Sequence, residues 1–332
     1  MNANGWAKGL MAASMGMVML FTGNAASPPG TEPAESTGPG DSVLVESLVE
    51  VPTVEPTESW EDPGVYGVRA ASADGEHIFV YDASEGSMRF CSGEDSETLY
   101  PASVTKLWSA LVALMYLDPE EVVTAGTELK LVQPGSSRAY IARGSRLTAE
   151  MLVEGMLIPS GNDAAYVLAA AAGRVIAENA ELGSEEAVAA FLEEMNRKGK
   201  EIGMIHSHFT NPDGYHDPEH YMCPRDVALV GSLALENSVI ARYMNLQQDS
   251  VTFRSGEHIA WYNTNHLINP ESPYYVEEAV GMKTGYTDKA GHCLLGAFRH
   301  PERTILVGIF GAKKPYSRYA DAVDLYEIAV GG

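Results

Sequence analysis

Ser103-Val104-Thr105-Lys106 places a hydroxyl and an amine three residues apart. On a helix this spacing puts both groups on one face, within reach of each other. A serine hydroxyl is a poor nucleophile until a base takes its proton. A lysine serves as that base only when desolvation or a second cation lowers its pKa. The N-terminus of a helix adds a backbone N–H and partial positive charge where an oxyanion would develop. Alone, the spacing arises often by chance and is better read as a capping serine with a surface lysine, so it specifies chemistry only in company.

Two further tripeptides supply that company. Ser160-Gly161-Asn162 offers a hydroxyl to relay protons and an amide to grip a peptide bond. Lys283-Thr284-Gly285 offers an ammonium that can point into a cleft, and Gly285 leaves room for an extended ligand against a strand edge. Each has a plain reading, a helix-capping turn for the first and a strand end for the second. Their joint occurrence in the order helix start, loop, strand is the specific signal, and it is the pattern of active-site serine acyl transfer.

The elements that must position these residues follow from periodicity. Residues 105–117 are apolar around most of a helical circumference (Leu107, Trp108, Leu111, Val112, Leu114, Met115), which predicts a helix buried between layers. Further helices are predicted at 149–157, 162–179, 185–202 with Ser184 as N-cap, and 225–236. Residues 281–284, 292–298 and 304–310 read as strands, the last two joined by a turn at Pro301-Glu302, and 317–329 as a closing amphipathic helix. On the N-terminal side, 65–71 and 77–81 flank Ala73-Asp74-Gly75-Glu76 and predict a hairpin, so that the sheet begins near Val65. The fold class is α/β in the α+β sense: an antiparallel sheet whose N- and C-terminal strands meet, flanked by helices, with a helical subdomain inserted.

From about residue 65 to 329 the chain resembles the serine D-Ala-D-Ala carboxypeptidases, the low-molecular-mass penicillin-binding proteins of the S11 peptidase type. The resemblance is carried by Pro101-Ala102-Ser103-Val104-Thr105-Lys106 and by Ile158-Pro159-Ser160-Gly161-Asn162-Asp163-Ala164-Ala165. It continues through Asn211-Pro212-Asp213-Gly214 ahead of His220-Tyr221, and Gly281-Met282-Lys283-Thr284-Gly285-Tyr286-Thr287-Asp288-Lys289-Ala290-Gly291. It implies a β-lactamase/transpeptidase-like fold, with Ser103 as acylated nucleophile and Lys106 as its base. Ser160 and Lys283 would pass a proton to the leaving amine, and Asn162 would orient the substrate. The N–H groups of Ser103 and Tyr286 would form the oxyanion hole. Lys283 with Thr284, Thr287 or Arg318 would hold the terminal carboxylate, beside the space left at Gly285. Repulsion between the two lysines would help keep Lys106 neutral. Ser103 would attack the penultimate D-Ala carbonyl, D-Ala would leave, and water would free the shortened stem peptide. The implied partners are stem peptides ending in D-Ala-D-Ala and β-lactam inhibitors, with no cofactor and no metal.

Four other readings compete. A class A β-lactamase carries Ser-Asp-Asn and a downstream Glu-x-x-Leu-Asn, whereas this chain has Ser-Gly-Asn and lacks the glutamate motif. A DD-endopeptidase or transpeptidase would share the nucleophile and differ in groove shape. His216-Asp217-Pro218-Glu219-His220 fits the H-x-x-E-H zinc-peptidase pattern, but Pro218 breaks the helix that must align both histidines; His206 and His208 read as loop residues. A wall-binding protein without turnover is disfavoured by the intact Ser103, Lys106, Ser160, Asn162 and Lys283.

Composition sets the outer bounds. The chain has 332 residues, 45% of them hydrophobic, which supports a sizeable core. Its formal net charge of -23 excludes binding to a nucleic-acid backbone, which runs on clustered Lys and Arg. Cys91, Cys223 and Cys293 lie far apart with no CxxC spacing and read as reduced structural thiols; Cys223, where relatives often carry a hydroxyl, reads as packing. After Lys8, residues 9–21 form an apolar run shorter than the roughly 20 residues that span a bilayer, and Gly23-Asn24-Ala25 offers a small-x-small cleavage site. Residues 1–25 are therefore predicted as a signal peptide or N-terminal anchor, and an extracytoplasmic location follows. Residues 26–63, with no Lys or Arg between Lys8 and Arg69, are predicted as an acidic, Pro-rich disordered linker containing one short apolar patch at 43–49. Residues 64–332 would be the catalytic domain. The end of the sequence at Gly332 carries the expectation that the C-terminal β-domain and anchor of many relatives are absent, leaving membrane contact to the N-terminus.

Overall fold

Alternating apolar residues on a few strands set the layers of the structure. The computed structural model describes residues 63–204 and 206–331. The expected signal peptide (1–25), the linker (26–63, Pro63 apart) and its patch at 43–49 lie outside the described residues. The described chain begins with helix α1 (Pro63–Ser72), strand β1 (His77–Asp82) and strand β2 (Ser87–Cys91). A 3₁₀ turn (Ala102–Val104) runs into α2 (Thr105–Ala113), and β3 (Val122–Thr124) pairs with β4 (Arg146–Thr148). Then come α3 (Ala149–Leu157), α4 (Asn162–Ile176), α5 (Ser184–Glu201), α6 (Pro224–Glu236), α7 (Ser238–Met244) and the hairpin β5 (Gln248–Thr252) to β6 (His258–Tyr262). Strands β7 (Ala279–Thr287), β8 (Gly291–His300) and β9 (Arg303–Ala312) return to the main sheet, and α8 (Ser317–Gly331) follows.

The main sheet has the order β2-β1-β9-β8-β7, antiparallel throughout. Strand β1 lies beside β9, in register from His77 opposite Phe310 to Asp82 opposite Ile305, so the N- and C-terminal strands meet as the sequence predicts. Side chains alternate between two cores. Ile78, Val80, Leu294, Ile305, Val307 and Ile309 pack with Tyr319, Ala322, Leu325 and Tyr326 of α8. Phe79, Cys293, Leu295, Leu306 and Phe310 face the helical insertion. This period-two division is what a strand buried on both faces requires. Helix α2 runs through the second core with every residue from Thr105 to Ala113 buried, in agreement with its apolar circumference.

The N-terminal hairpin is where expectation and structure part. Residues 65–71 are helical, not a strand, and the sheet begins at His77. Tyr66 and Ala70, one helical turn apart, pack on the α8 side of the sheet, and Arg69 forms ion pairs with Asp321 and Asp324 of α8. The Asp-Gly step at 74–75 is a tie and not a hairpin turn: Asp74 Oδ2 accepts from Lys314 N at 2.7 Å and from Ser317 Oγ at 2.8 Å. The true partner of β1 is β2, and the turn between them is held by Asp82 Oδ1, which accepts from the N–H groups of Ser84 and Glu85. At α5, Gly183 and not Ser184 is the N-cap; the Ser184 hydroxyl instead donates to Glu128 Oε2 at 2.8 Å. All three cysteines are free, with Cys223 and Cys293 buried.

Candidate active site

The Ser103 region is built by a tight entry into α2. Ala102 has φ +47°, and Ser103 follows it in the 3₁₀ turn, so Lys106 falls one turn later on the same face. Lys106 Nζ donates to Ser103 Oγ at 2.7 Å and to the carbonyl oxygen of Asp213 at 2.8 Å. The lysine is fully buried. Burial pulls its pKa down to about 8, while the Asp213 and Asp163 carboxylates oppose that fall. An amine in this range is neutral often enough near neutral pH to take the proton of a hydroxyl it touches.

A second serine–lysine pair faces the first. Ser160 lies between α3 and α4 with φ +62°, and Lys283 Nζ of β7 donates to its Oγ at 2.9 Å and to Thr284 O at 3.0 Å. Lys283 is buried, and its pKa is held well below the lysine range by burial first, then by the charges of Lys106 and Arg318. The lysine–lysine repulsion expected from the sequence is therefore present, but it acts on Lys283; for Lys106 the cause is burial. Asn162 opens α4 and is buried, its N–H donating to Ser137 O at 2.9 Å.

Strand β7 forms the third wall. A Cβ built at Gly285 would lie 2.8 Å from Ala102 Cβ and 2.9 Å from Ser103 N, so only glycine lets the strand pass this close to Ser103. Thr284 is buried and its hydroxyl bonds that of Thr264. Tyr286 is exposed, with its ring stacked on His292 and its hydroxyl donating to Asp288. Thr287 Oγ1 accepts from Ala290 N at 2.9 Å and holds the turn into β8. Arg318 of α8 reaches the same strand, where Nη1 donates to Gly285 O and Cys293 O at 3.0 Å each and Nη2 to the Tyr319 hydroxyl at 3.1 Å. In this structure it braces the β7–β8 edge and places positive charge behind Lys283.

The structure thus brings Ser103, Lys106, Ser160, Asn162, Lys283, Thr284 and Gly285 to one cleft from four separate elements, with Tyr286 and Thr287 at its end and Arg318 behind. Sequence reasoning assigned no role to Asp163, Asp213 or Ser137, which hold these residues in place. Asp213 lies within the Asn211–Gly214 run, where only its backbone oxygen touches Lys106. The histidines of the H-x-x-E-H run stand in a loop and not on a helix. His216 sets its ring edge-on to Tyr100, and His220 is buried, with Nδ1 accepting from Thr210 N and Nε2 therefore donating to Thr105 Oγ1 at 2.9 Å. Among the described residues no group of three or more His, Cys, Asp or Glu side chains is placed to hold a metal ion.

Comparison with known proteins bears on family and fold. DacF, a D-alanyl-D-alanine carboxypeptidase of Bacillus subtilis, is 28% identical over 237 residues, which are 70% of this chain and 57% of DacF. The D-alanyl-D-alanine carboxypeptidase of Streptomyces sp. strain K15 is 28% identical over 236 residues, covering 67% of this chain and 76% of its own. The chain spans less than two thirds of the length of DacF, and the same holds for DacC of Escherichia coli, at 62%. In fold, the crystal structure of the Streptomyces K15 DD-transpeptidase superposes with a TM-score of 0.68 at 24% identity, covering 78% of this chain and 98% of that one. Residues 66–314, most of the described chain, match the D-alanyl-D-alanine carboxypeptidase pattern of the peptidase S11 group, and the chain belongs to that family.

Proposed function

We propose that this protein is a serine D-Ala-D-Ala carboxypeptidase that removes the terminal D-Ala from peptidoglycan stem peptides through an acyl-enzyme and is acylated by β-lactams. The observation that carries the reading is the meeting of two serine–lysine pairs, at 2.7 and 2.9 Å, with both amines buried in one cleft. Lys106 takes the Ser103 proton as Oγ attacks the penultimate D-Ala carbonyl. The oxyanion is received by the N–H groups of Ser103, at the helix start, and Tyr286, on β7. Ser160, charged with a proton through Lys283, delivers it to the departing amine, and Asn162 orients the acyl part of the substrate. Lys283, Thr284 and Thr287 hold the terminal carboxylate, with Arg318 adding charge from behind. Water then attacks the acyl-enzyme and frees the shortened peptide.

The same reading places the protein outside the cytoplasmic membrane, where peptidoglycan lies, with residues 1–25 directing export, 26–63 as a linker and 64–332 as the catalytic domain. Among the described residues no helix is long and apolar enough to cross a membrane. The first test is intact mass of the purified protein against time after adding benzylpenicillin, with hydrolysis of the drug followed in parallel. The expected result is a long-lived adduct, lost in Ser103→Ala, and release of D-Ala from a peptide ending in D-Ala-D-Ala. Rapid drug hydrolysis without a lasting adduct would point to a β-lactamase instead.

A further inference from the structure

Tyr140 lies in the segment 137–141, which is bonded to Ser160, Asn162 and Asp163, and is used by no step above. Its φ is +62°, in the left-handed region that a bulky side chain occupies only with strain. Among the described residues four other non-glycine residues share a positive φ: Ala102 next to Ser103, Ser160 itself, Met282 next to Lys283, and Glu178 just past the end of α4. Strain in this molecule therefore gathers around the reacting groups, and Tyr140 belongs to that set.

A specific clamp imposes it. Asp163 is buried in the first turn of α4; its Oδ1 accepts from Ala139 N at 2.7 Å and its Oδ2 from Ile141 N at 3.0 Å, so one carboxylate grips the backbone on both sides of Tyr140. Trp261 Nε1 donates to Ala139 O at 3.0 Å, and Ser137 Oγ donates to Ser160 O at 2.7 Å. The contact is close enough that a Cβ at Gly161 would fall 2.7 Å from Ala139 Cβ. Residues 137–141 are thus fastened along 160–163, one residue from Ser160 and Asn162. With its backbone held from beneath, Tyr140 stands outward, 76% exposed, and among the described residues its side chain has no hydrogen bond and no ring partner. Tyr286 differs, since its ring and hydroxyl are already engaged.

Nothing in the clamp needs a ring. Asp163 binds backbone N–H groups that any non-proline residue supplies, and glycine would supply this conformation with less strain. We infer that Tyr140 is a specificity residue whose ring packs against the aliphatic part of the residue preceding the D-Ala-D-Ala unit. The inference rests on the proposed carboxypeptidase reading, in which Lys283 and Thr284 take the terminal carboxylate and the acyl side of the peptide falls to Asn162. Tyr140 lies three residues from Ser137, which bonds Ser160 and Asn162.

The test compares kcat/KM for Nα,Nε-diacetyl-L-Lys-D-Ala-D-Ala and N-acetyl-Gly-D-Ala-D-Ala. Tyr140→Gly removes the ring and the strain together, so its thermal midpoint reports on the fold independently. The expected result is a loss about five- to tenfold larger for the lysyl than for the glycyl peptide, the scale of a few lost apolar contacts, with the wild-type ratio restored in Tyr140→Phe. Equal losses on both peptides in Tyr140→Gly, which leave the ratio unchanged, would overturn the assignment of Tyr140 alone when the wild type releases D-Ala. A wild type that releases D-Ala from neither peptide would overturn the carboxypeptidase reading and this inference with it.

Discussion

Lys106 and Lys283 are the same residue type in the same cleft, and their surroundings differ, which suits them to the different tasks proposed for them. Lys106 touches the Ser103 hydroxyl and lies near two carboxylates; Lys283 touches Ser160 and feels two other cations. A base must be unprotonated, so acylation by benzylpenicillin should rise with pH and level off as Lys106 passes its pKa of about 8. Asp213 opposes the deprotonation of Lys106, and its own carboxyl is pushed up by burial. Asp213→Asn removes that negative charge while Oδ1 can still accept from Tyr215 N. The pH–rate profile of acylation should then move to lower pH by about one unit. A profile that stays in place would mean that Asp213 does not set the proton affinity of Lys106. Neither Asp213 nor Asp163 was legible beforehand as an electrostatic partner, because each acts on Lys106 across more than fifty residues of chain and carries no local spacing signal.

At the level of elements, the proposed catalysis rests on how closely β7 passes the start of α2. Gly285→Ala would place a methyl 2.8 Å from Ala102 Cβ and 2.9 Å from Ser103 N, so either the strand or the nucleophile turn must move. The expected outcome is a fall in the acylation rate of about a hundredfold, the order lost for misplacement by roughly an ångström, with secondary structure by circular dichroism retained. An acylation rate equal to wild type would show that the strand has slack. The elements around this contact were readable: 149–157 matches α3 end to end, and β7 to β9 extend their predicted cores by a few residues. Their apolar runs are long and bounded by clear breakers. Residues 65–71 were misread because a short run with valine, tyrosine and alanine fits either period, and packing of Tyr66 and Ala70 near α8 decided it. The short pairs β3–β4 and β5–β6 were missed because three to five half-exposed residues leave little periodic signal.

For the molecule as a whole, acid is abundant, and among the described residues most of it is not buried, Glu154 of α3 being one of the exceptions. It is buried beside Asp249, with Glu150 and Arg242 nearby, and burial first, then the Asp249 charge, raises its pKa to about 8. Its unfolded value is near 4.5. Between these values the folded state binds the extra proton, so stability falls as pH rises through that window. Glu154→Gln stays neutral throughout. Its thermal midpoint should exceed that of the wild type above about pH 8 and approach it near pH 5. A difference independent of pH would place the proton elsewhere.

The seating of β1 between β2 and β9 has a consequence for synthesis. A ribosome delivers His77–Asp82 well before Arg303–Ala312, with the whole helical insertion between them. Until the final strands emerge, the first hairpin carries one unsatisfied ladder of N–H and C=O groups and an uncovered apolar face. Closure is a long-range event with a large loop entropy, and proteins dominated by such pairings fold slowly. The nascent chain therefore passes through an open-edged, association-prone state whose lifetime is set by elongation, and a chain stopped short of β9 never leaves it.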